Sequence, residues 1–131
     1  MNPIPVGAKG RFELVVAAEH LANFVKDPML PPVLATPIMV MMMENAALNA
    51  IKPYLEPGKI ALGTRVAIEH LAATPAGRTV RAEAQVTRVE GRRIEFVVRA
   101  LDDREEIGRG THERILIDVA KFQERLQAKF G

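Results

Sequence analysis

The segment LATPIMVMMMENAALNAI, residues 34–51, sets the tightest limit on what this chain can fold into. Thr followed by Pro is a good helix start. The hydroxyl suits an N-cap, and Pro costs nothing at a first helical position whose N–H has no partner within the helix. The spacing predicts a helix from Pro37 to about Lys52, stopped at Pro53. Apolar residues occupy nearly every side of it, so one packed face cannot cover it. A curved sheet wrapped around the helix can.

The rest of the chain supplies such a sheet. Residues 11–16, RFELVV, have strand composition, and EHLANF reads as a short helical turn. KDPMLPPVLA is too rich in Pro to be regular. After the helix, residues 60–72 read as a strand. TVRAEAQVTRV then puts Val80, Ala82, Ala84 and Val86 on one face, and IEFVVRAL does the same with Ile94, Phe96, Val98 and Ala100. EGRR and DDRE are turns, EIGRGTHERILI is a last long strand, and from Asp118 the apolar residues Val119, Phe122, Leu126 and Phe130 recur at helical spacing. Strands joined by hairpins make an antiparallel sheet. The expected fold is α+β, a single domain over residues 1–131 with about five strands clasping the long helix.

Composition narrows the function classes. With no Cys there is no disulfide or thiolate chemistry. No basic segment leads into an apolar run at the start, and no apolar run approaches the ~20 residues of a membrane span. The expectation is a cytoplasmic protein with no membrane association. Eighteen Lys and Arg stand against sixteen Asp and Glu, without Trp and without a block of like charge. Nucleic-acid binding, which needs a basic stripe or stacking aromatics, is not expected.

The odd residue is Glu44. On a helix it shares a face with Val40, Met41, Ala47, Leu48 and Ile51, while Asn45, Asn49 and Lys52 form a separate polar stripe. A carboxylate alone on an apolar face is costly, so it calls for a partner, a wet cleft or a subunit interface. Pattern leaves it open between a structural acid paired to Arg or Lys and a functional one. Alternation from Val66 turns Ile68 and His70 inward. His112 alternates outward in the same reading, and His20 has no supporting context. No His/Glu spacing suggests a metal site, and the nucleophile-elbow, phosphate-loop and dinucleotide motifs are absent.

Four segments together carry a resemblance: PPVLATPIMVMMMENAALNAIKPYLEPG, ALGTRVAIEHLAATPAGRTV, VEGRRIEFVVRALDDREEIGRGTHER and the closing FQERL. With PYLEPG, HxAATPxG and EIGxGTHER at matching spacing, the chain resembles the thioesterase branch of the hotdog-fold superfamily, nearest the fluoroacetyl-CoA thioesterase group. The resemblance implies a hotdog fold, a homodimer with sites near the subunit interface, and hydrolysis of an acyl-CoA thioester. CoA would enter as part of the substrate, with no separate cofactor. It places the catalytic Thr, Glu and His on Thr36, Glu44 and His70, and residues of the acyl-thioester pocket on Gly63 and Arg114.

On that basis Glu44 would be nucleophile or base, His70 general acid/base, and the free amides at the helix N-terminus would meet a developing oxyanion. The fluoroacetyl-specific member is aromatic just before its Thr, whereas KDPMLPPVLA offers Met29 and Leu30 and no Phe or Tyr. This departure implies a different short or medium acyl group. The rival readings are a hotdog hydratase or dehydratase and a non-catalytic acyl-CoA-binding dimer.

Overall fold

The computed structural model describes residues 3–131; Met1 and Asn2, counted in the expected domain, lie outside the described residues. In chain order the elements are β1 (Lys9–Val15), a 3-10 turn (Ala18–His20), α1 (Ala22–Val25), α2 (Thr36–Ile51), a second 3-10 turn (Lys52–Tyr54), β2 (Lys59–His70), β3 (Thr79–Glu90), β4 (Arg93–Leu101), β5 (Glu106–Asp118) and α3 (Val119–Phe130). The strands form one antiparallel sheet in the order β1-β3-β4-β5-β2. Helix α2 lies on its inner face, so the arrangement is the expected α+β one.

The inner face of the sheet is the one the alternation marked. Val80, Ala82, Ala84 and Val86 on β3 and Ile94, Phe96, Val98 and Ala100 on β4 are all buried beneath α2. The helix turns Met39, Met42, Met43, Ala46, Ala47, Ala50 and Ile51 into this core. At β1 the approach is so close that a Cβ on Gly10 would lie 2.3 Å from the Ala46 carbonyl oxygen. Only Gly fits there, and Asn49 ties the same crossing by donating to the Arg11 carbonyl at 2.8 Å.

The clasp is not complete. Along α2, Val40, Met41, Glu44 and Leu48 are only half-buried, and β2, the edge strand beside that flank, is exposed along most of its length. A long unpaired edge next to a half-covered apolar stripe is a surface that other chains can join. No described helix is long and apolar enough to cross a membrane.

Candidate functional site

Two clusters of chemistry-bearing side chains lie along α2. The first is at its N-terminus. The preceding segment is anchored by Leu34 N–H to the Thr74 carbonyl at 2.8 Å and by Ala35 N–H to the His20 carbonyl at 2.9 Å, with Leu34 and Ala35 both buried. His20 thus serves the backbone, its Nδ1 also accepting from the Ala17 amide at 2.9 Å. The anchor delivers Thr36 against the end of β2, where its Oγ1 is 2.7 Å from His70 Nδ1. His70 points inward as alternation predicts. Its Nε2 is buried with no hydrogen-bond partner among the described residues. Burial is the main influence on this imidazole and pushes its pKa below the ordinary histidine value, while the Ala72 backbone opposes the shift.

Two sequence-based expectations change here. The N-cap is Ala35, not Thr36, so the threonine hydroxyl is committed to His70 instead of to a cap. The first turn of α2 also has few free amides. Pro37 has none, and those of Ile38 and Met39 bond to the Ala35 carbonyl at 3.0 and 3.1 Å. An oxyanion site made of several helix-end amides is therefore not available there.

The second cluster surrounds Glu44. A Cβ built on Gly63 would lie 2.7 Å from Glu44 Oε2, 3.2 Å from His112 Cε1 and 3.7 Å from Arg114 Nη1, so these groups share the space that the glycine leaves empty. A bulge in β2 between Gly63 and Arg65 makes this possible. Thr64 is the extra residue, its hydroxyl held on Glu113, and the bulge lets both Gly63 and Val66 face inward although their numbers differ in parity.

Arg114 is 7% exposed and makes no ion pair with the Glu44 carboxylate. Its Nη2 donates to the Ala61 carbonyl at 2.6 Å, its Nη1 reaches His112 Nε2 at 3.3 Å and makes a long 3.5 Å contact with the Glu44 carbonyl. The pairing that would have made Glu44 merely structural is absent. Burial disfavours the Arg114 charge and the nearby Glu44 carboxylate favours it; a guanidinium stays cationic under such conditions.

His112 is the residue that sequence reasoning missed. It points inward, 2% exposed and stacked on Phe96 with ring centroids 5.6 Å apart, where outward alternation was expected. Its Nδ1 faces the Arg65 carbonyl at 2.8 Å and so carries the proton, which leaves Nε2 to accept from Arg114. Burial first and the Arg114 charge second hold this imidazole below the usual histidine pKa, against the pull of the Arg65 carbonyl. The signal was present, since His112 and Arg114 are two apart on one strand and must share a face.

The Thr36–His70 pair and the Glu44 pocket are separate within one chain. Eight residues of helix put Glu44 roughly 12 Å along α2 from Thr36, and β2 puts His70 roughly 20 Å from Gly63. Among the described residues no group of three His, Cys, Asp or Glu could hold a metal ion.

The fold has solved counterparts. A thioesterase superfamily member from Thermus thermophilus superposes with a TM-score of 0.91 at 35% identity over 99% of this chain and 98% of that one. A hot-dog-like protein from Thermanaerovibrio acidaminovorans shares the fold at a TM-score of 0.88 and 24% identity, over 98% of this chain and 94% of that one. The architecture is therefore that of the hotdog thioesterases. Residues 16–120 match the family described as fluoroacetyl-CoA-specific thioesterase. The fluoroacetyl-CoA thioesterase of Streptantibioticus cattleyicolor is 48% identical over 99 residues, 76% of this chain and 71% of that protein. A variant of the fluoroacetyl-CoA thioesterase FlK solved with acetyl-CoA gives a TM-score of 0.91 at 39% identity, over 97% of this chain and 99% of that one. The chain belongs to the fluoroacetyl-CoA-specific thioesterase family and is an acyl-CoA thioesterase.

Proposed function

We propose that this enzyme hydrolyses a short or medium acyl-CoA thioester in a pocket completed by two copies of the chain. Glu44, Gly63 and Arg114 come from one subunit, and Thr36 and His70 from the other. The observation that carries this reading is the separation of the two clusters: the Glu44 half has its carboxylate and cation, but both ring nitrogens of its His112 are taken by the Arg65 carbonyl and Arg114, and the unpartnered ring nitrogen is that of His70 in the other half. The half-buried stripe of Val40, Met41 and Leu48 beside the exposed β2 edge supplies the surface for a second subunit. Such a homodimer would be isologous, with two equivalent pockets.

In this pocket Glu44 either attacks the thioester carbonyl itself, forming a mixed anhydride that water then opens, or deprotonates the attacking water. In both routes the C–S bond breaks and the acyl carbon gains an oxygen from water. In the anhydride route CoA leaves as the thiolate, and His70, kept neutral by burial, then accepts a proton from the water that opens the anhydride and passes it to the sulfur. In the base route the proton that Glu44 takes from water reaches the thiolate through His70, while Thr36 fixes the ring through Nδ1. Arg114, held by Ala61 and His112, provides the positive charge next to the carbonyl. The bare Gly63 lets the Glu44 carboxylate lie close against the β2 backbone, where a side chain would displace it. Upstream, Met29 is 86% exposed and Leu30 half-buried, so a tight aromatic cover for a fluoroacetyl group is missing, which favours other short or medium acyl groups.

A panel of acyl-CoAs followed by free-thiol release tests the reading. Turnover should be fastest on short or medium chains and should collapse in Glu44→Gln and His70→Ala. Full activity in both variants would contradict the residue assignment, and tight binding without thiol release from any thioester would point to a binding module.

A further inference from the structure

Two segments meet at the Thr36–His70 pair, and one residue outside the pair is tied to both. The loop between β2 and β3 leaves the strand directly after His70, where the Leu71 and Ala72 amides donate to the Ile107 carbonyl at 2.7 and 3.3 Å. Four residues past His70 the loop reaches Thr74, which is 0% exposed. The Thr74 carbonyl accepts the amide of Leu34, two residues before Thr36, at 2.8 Å, and Val33 bridges Pro75 beside it. Thr74 therefore links the strand that carries the imidazole to the segment that carries the hydroxyl.

A carbonyl can fix a segment only if its own residue is fixed, and loop backbone is by default the mobile part of a fold. The Thr74 side chain supplies the constraint. Its hydroxyl donates to Asp102 Oδ2, in the β4–β5 turn, at 2.8 Å. Asp102 is itself tied: Oδ1 accepts from the Arg104 and Glu105 amides at 2.8 and 2.9 Å, and its own amide donates to the Glu105 carbonyl at 2.9 Å. One carboxylate oxygen thus closes the turn, and the other reaches inward to the hydroxyl. A charge-assisted bond to a fully buried hydroxyl is strong, and costly to leave unmade. Burial disfavours the Asp102 charge, but the Arg104 amide, the Thr74 hydroxyl and the Glu105 amide together outweigh it and keep the carboxyl below its ordinary pKa.

The same two loops are joined a second time, by Arg78 and Asp103 at 2.8 Å. Those side chains are exposed, and the Arg78 carbonyl accepts from Val16, not from the segment before Thr36. Only the buried link leads toward the pair.

We propose that Thr74, held by Asp102, is the positioning residue of the Thr36–His70 pair. It sets the 2.7 Å contact between Oγ1 and Nδ1, and with it the direction of the unpartnered Nε2. Thr74 touches no reacting atom and acts through Thr36. This rests on the thioesterase reading above and adds the device that keeps its acid/base group aimed.

The test is a double-mutant cycle in kcat, measured on the acyl-CoA that the wild type turns over fastest and read beside the histidine ring nitrogens by NMR. Thr74→Val keeps the volume and removes the hydroxyl; it should lower kcat about threefold to tenfold with KM unchanged. Thr74→Ser, which keeps the hydroxyl, should return kcat to near wild type. In a Thr36→Val background Thr74→Val should cost nothing more, because the contact it serves is already gone. Asp102→Ala breaks the same bond from a surface turn, should show the same loss, and gives the answer if the buried variant fails to fold. Arg78→Ala should leave kcat as it is in the wild type. The ring nitrogens separate this proposal from the thioesterase reading: the His70 signals should move in Thr74→Val and Asp102→Ala and stay in Arg78→Ala, with or without turnover. Moved signals beside an unchanged kcat support the positioning role and contradict the catalytic role of the pair. Unmoved His70 signals, a Thr74→Val loss that adds fully to that of Thr36→Val, or an equal loss in Arg78→Ala overturn the proposal.

Discussion

The two ends of the polar machinery on α2 are built on opposite principles. At the N-terminus a neutral pair, Thr36 and His70, is hydrogen-bonded to itself and presents one unsatisfied ring nitrogen. In the middle, a carboxylate and a guanidinium lie near each other without pairing, because Ala61 and His112 hold the arginine, and Gly63 has no side chain to displace the carboxylate. The first cluster can move a proton, and the second can attack and stabilise charge. A self-contained site would have them in contact. Their separation in one chain, beside an uncovered edge strand, is what argues for a shared pocket.

The comparison can be broken most severely at Glu44. Glu44→Gln keeps the shape and removes the charge, and should lower kcat by roughly a thousandfold or more with little change in KM, the range lost when a nucleophile or base is removed. His70→Ala should cost about a hundredfold or more in kcat, and Thr36→Val about tenfold, since threonine acts through the ring it holds. Gly63→Ala pushes a methyl to within 2.7 Å of Glu44 Oε2. A displaced carboxylate should lose on the order of a hundredfold in kcat/KM while the melting temperature moves little, because geometry suffers more than packing. Rate assays paired with thermal melts read all four.

His112 sharpens the other half of the comparison. His112→Leu removes the acceptor for Arg114 and leaves a buried cation short of a partner, which should cost about tenfold in kcat/KM, whereas His112→Gln, which retains an acceptor, should recover part of it. Retention of full activity by the Leu variant would show that Arg114 needs no such support.

The smallest effect is on pH. His70 and His112 both titrate below the ordinary imidazole value of ~6.5, so the unfolded chain binds more protons than the folded one as pH falls through that value. Stability should therefore be fully present above pH ~6.5 and decline on acidification toward the depressed folded values. The acid limb of kcat/KM should likewise fall below ~6.5, and a limb centred above that value would contradict a buried, neutral His70.

Much of the scaffold was legible in residue order because period and burial coincide in it. The run around α2 demanded a wrapping sheet, and the alternation of β3 and β4 marked their inner face residue by residue. Glu44 stood out for the same reason, as a charge on an apolar side. What was not legible depends on breaks in period. The bulge at Thr64 returns Gly63 to the inner face, where uninterrupted alternation from Val66 would point it outward. On β5 the inner positions 108 and 110 are glycines, since a Cβ on Gly108 would meet Met39 Sδ at 2.5 Å and one on Gly110 the Ala67 carbonyl at 2.1 Å. That Gly pair hid the direction of His112. Thr36 looked like a cap because the hydroxyl's actual partner lies thirty-four residues away, at the end of β2. The distance between His70 and Glu44 is a tertiary fact that no local spacing encodes.

Subunit complementation tests the shared pocket most directly. Glu44→Gln and His70→Ala proteins, each nearly inactive alone, are mixed under conditions that allow exchange. A mixed dimer then has one pocket with an intact Glu44 from one chain and an intact His70 from the other, and one pocket with neither. Random exchange makes half the dimers mixed, so thiol release from acyl-CoA should return to about a quarter of the wild-type rate. A mixture that exchanges subunits yet stays as inactive as its components would mean that each pocket draws Glu44 and His70 from the same chain.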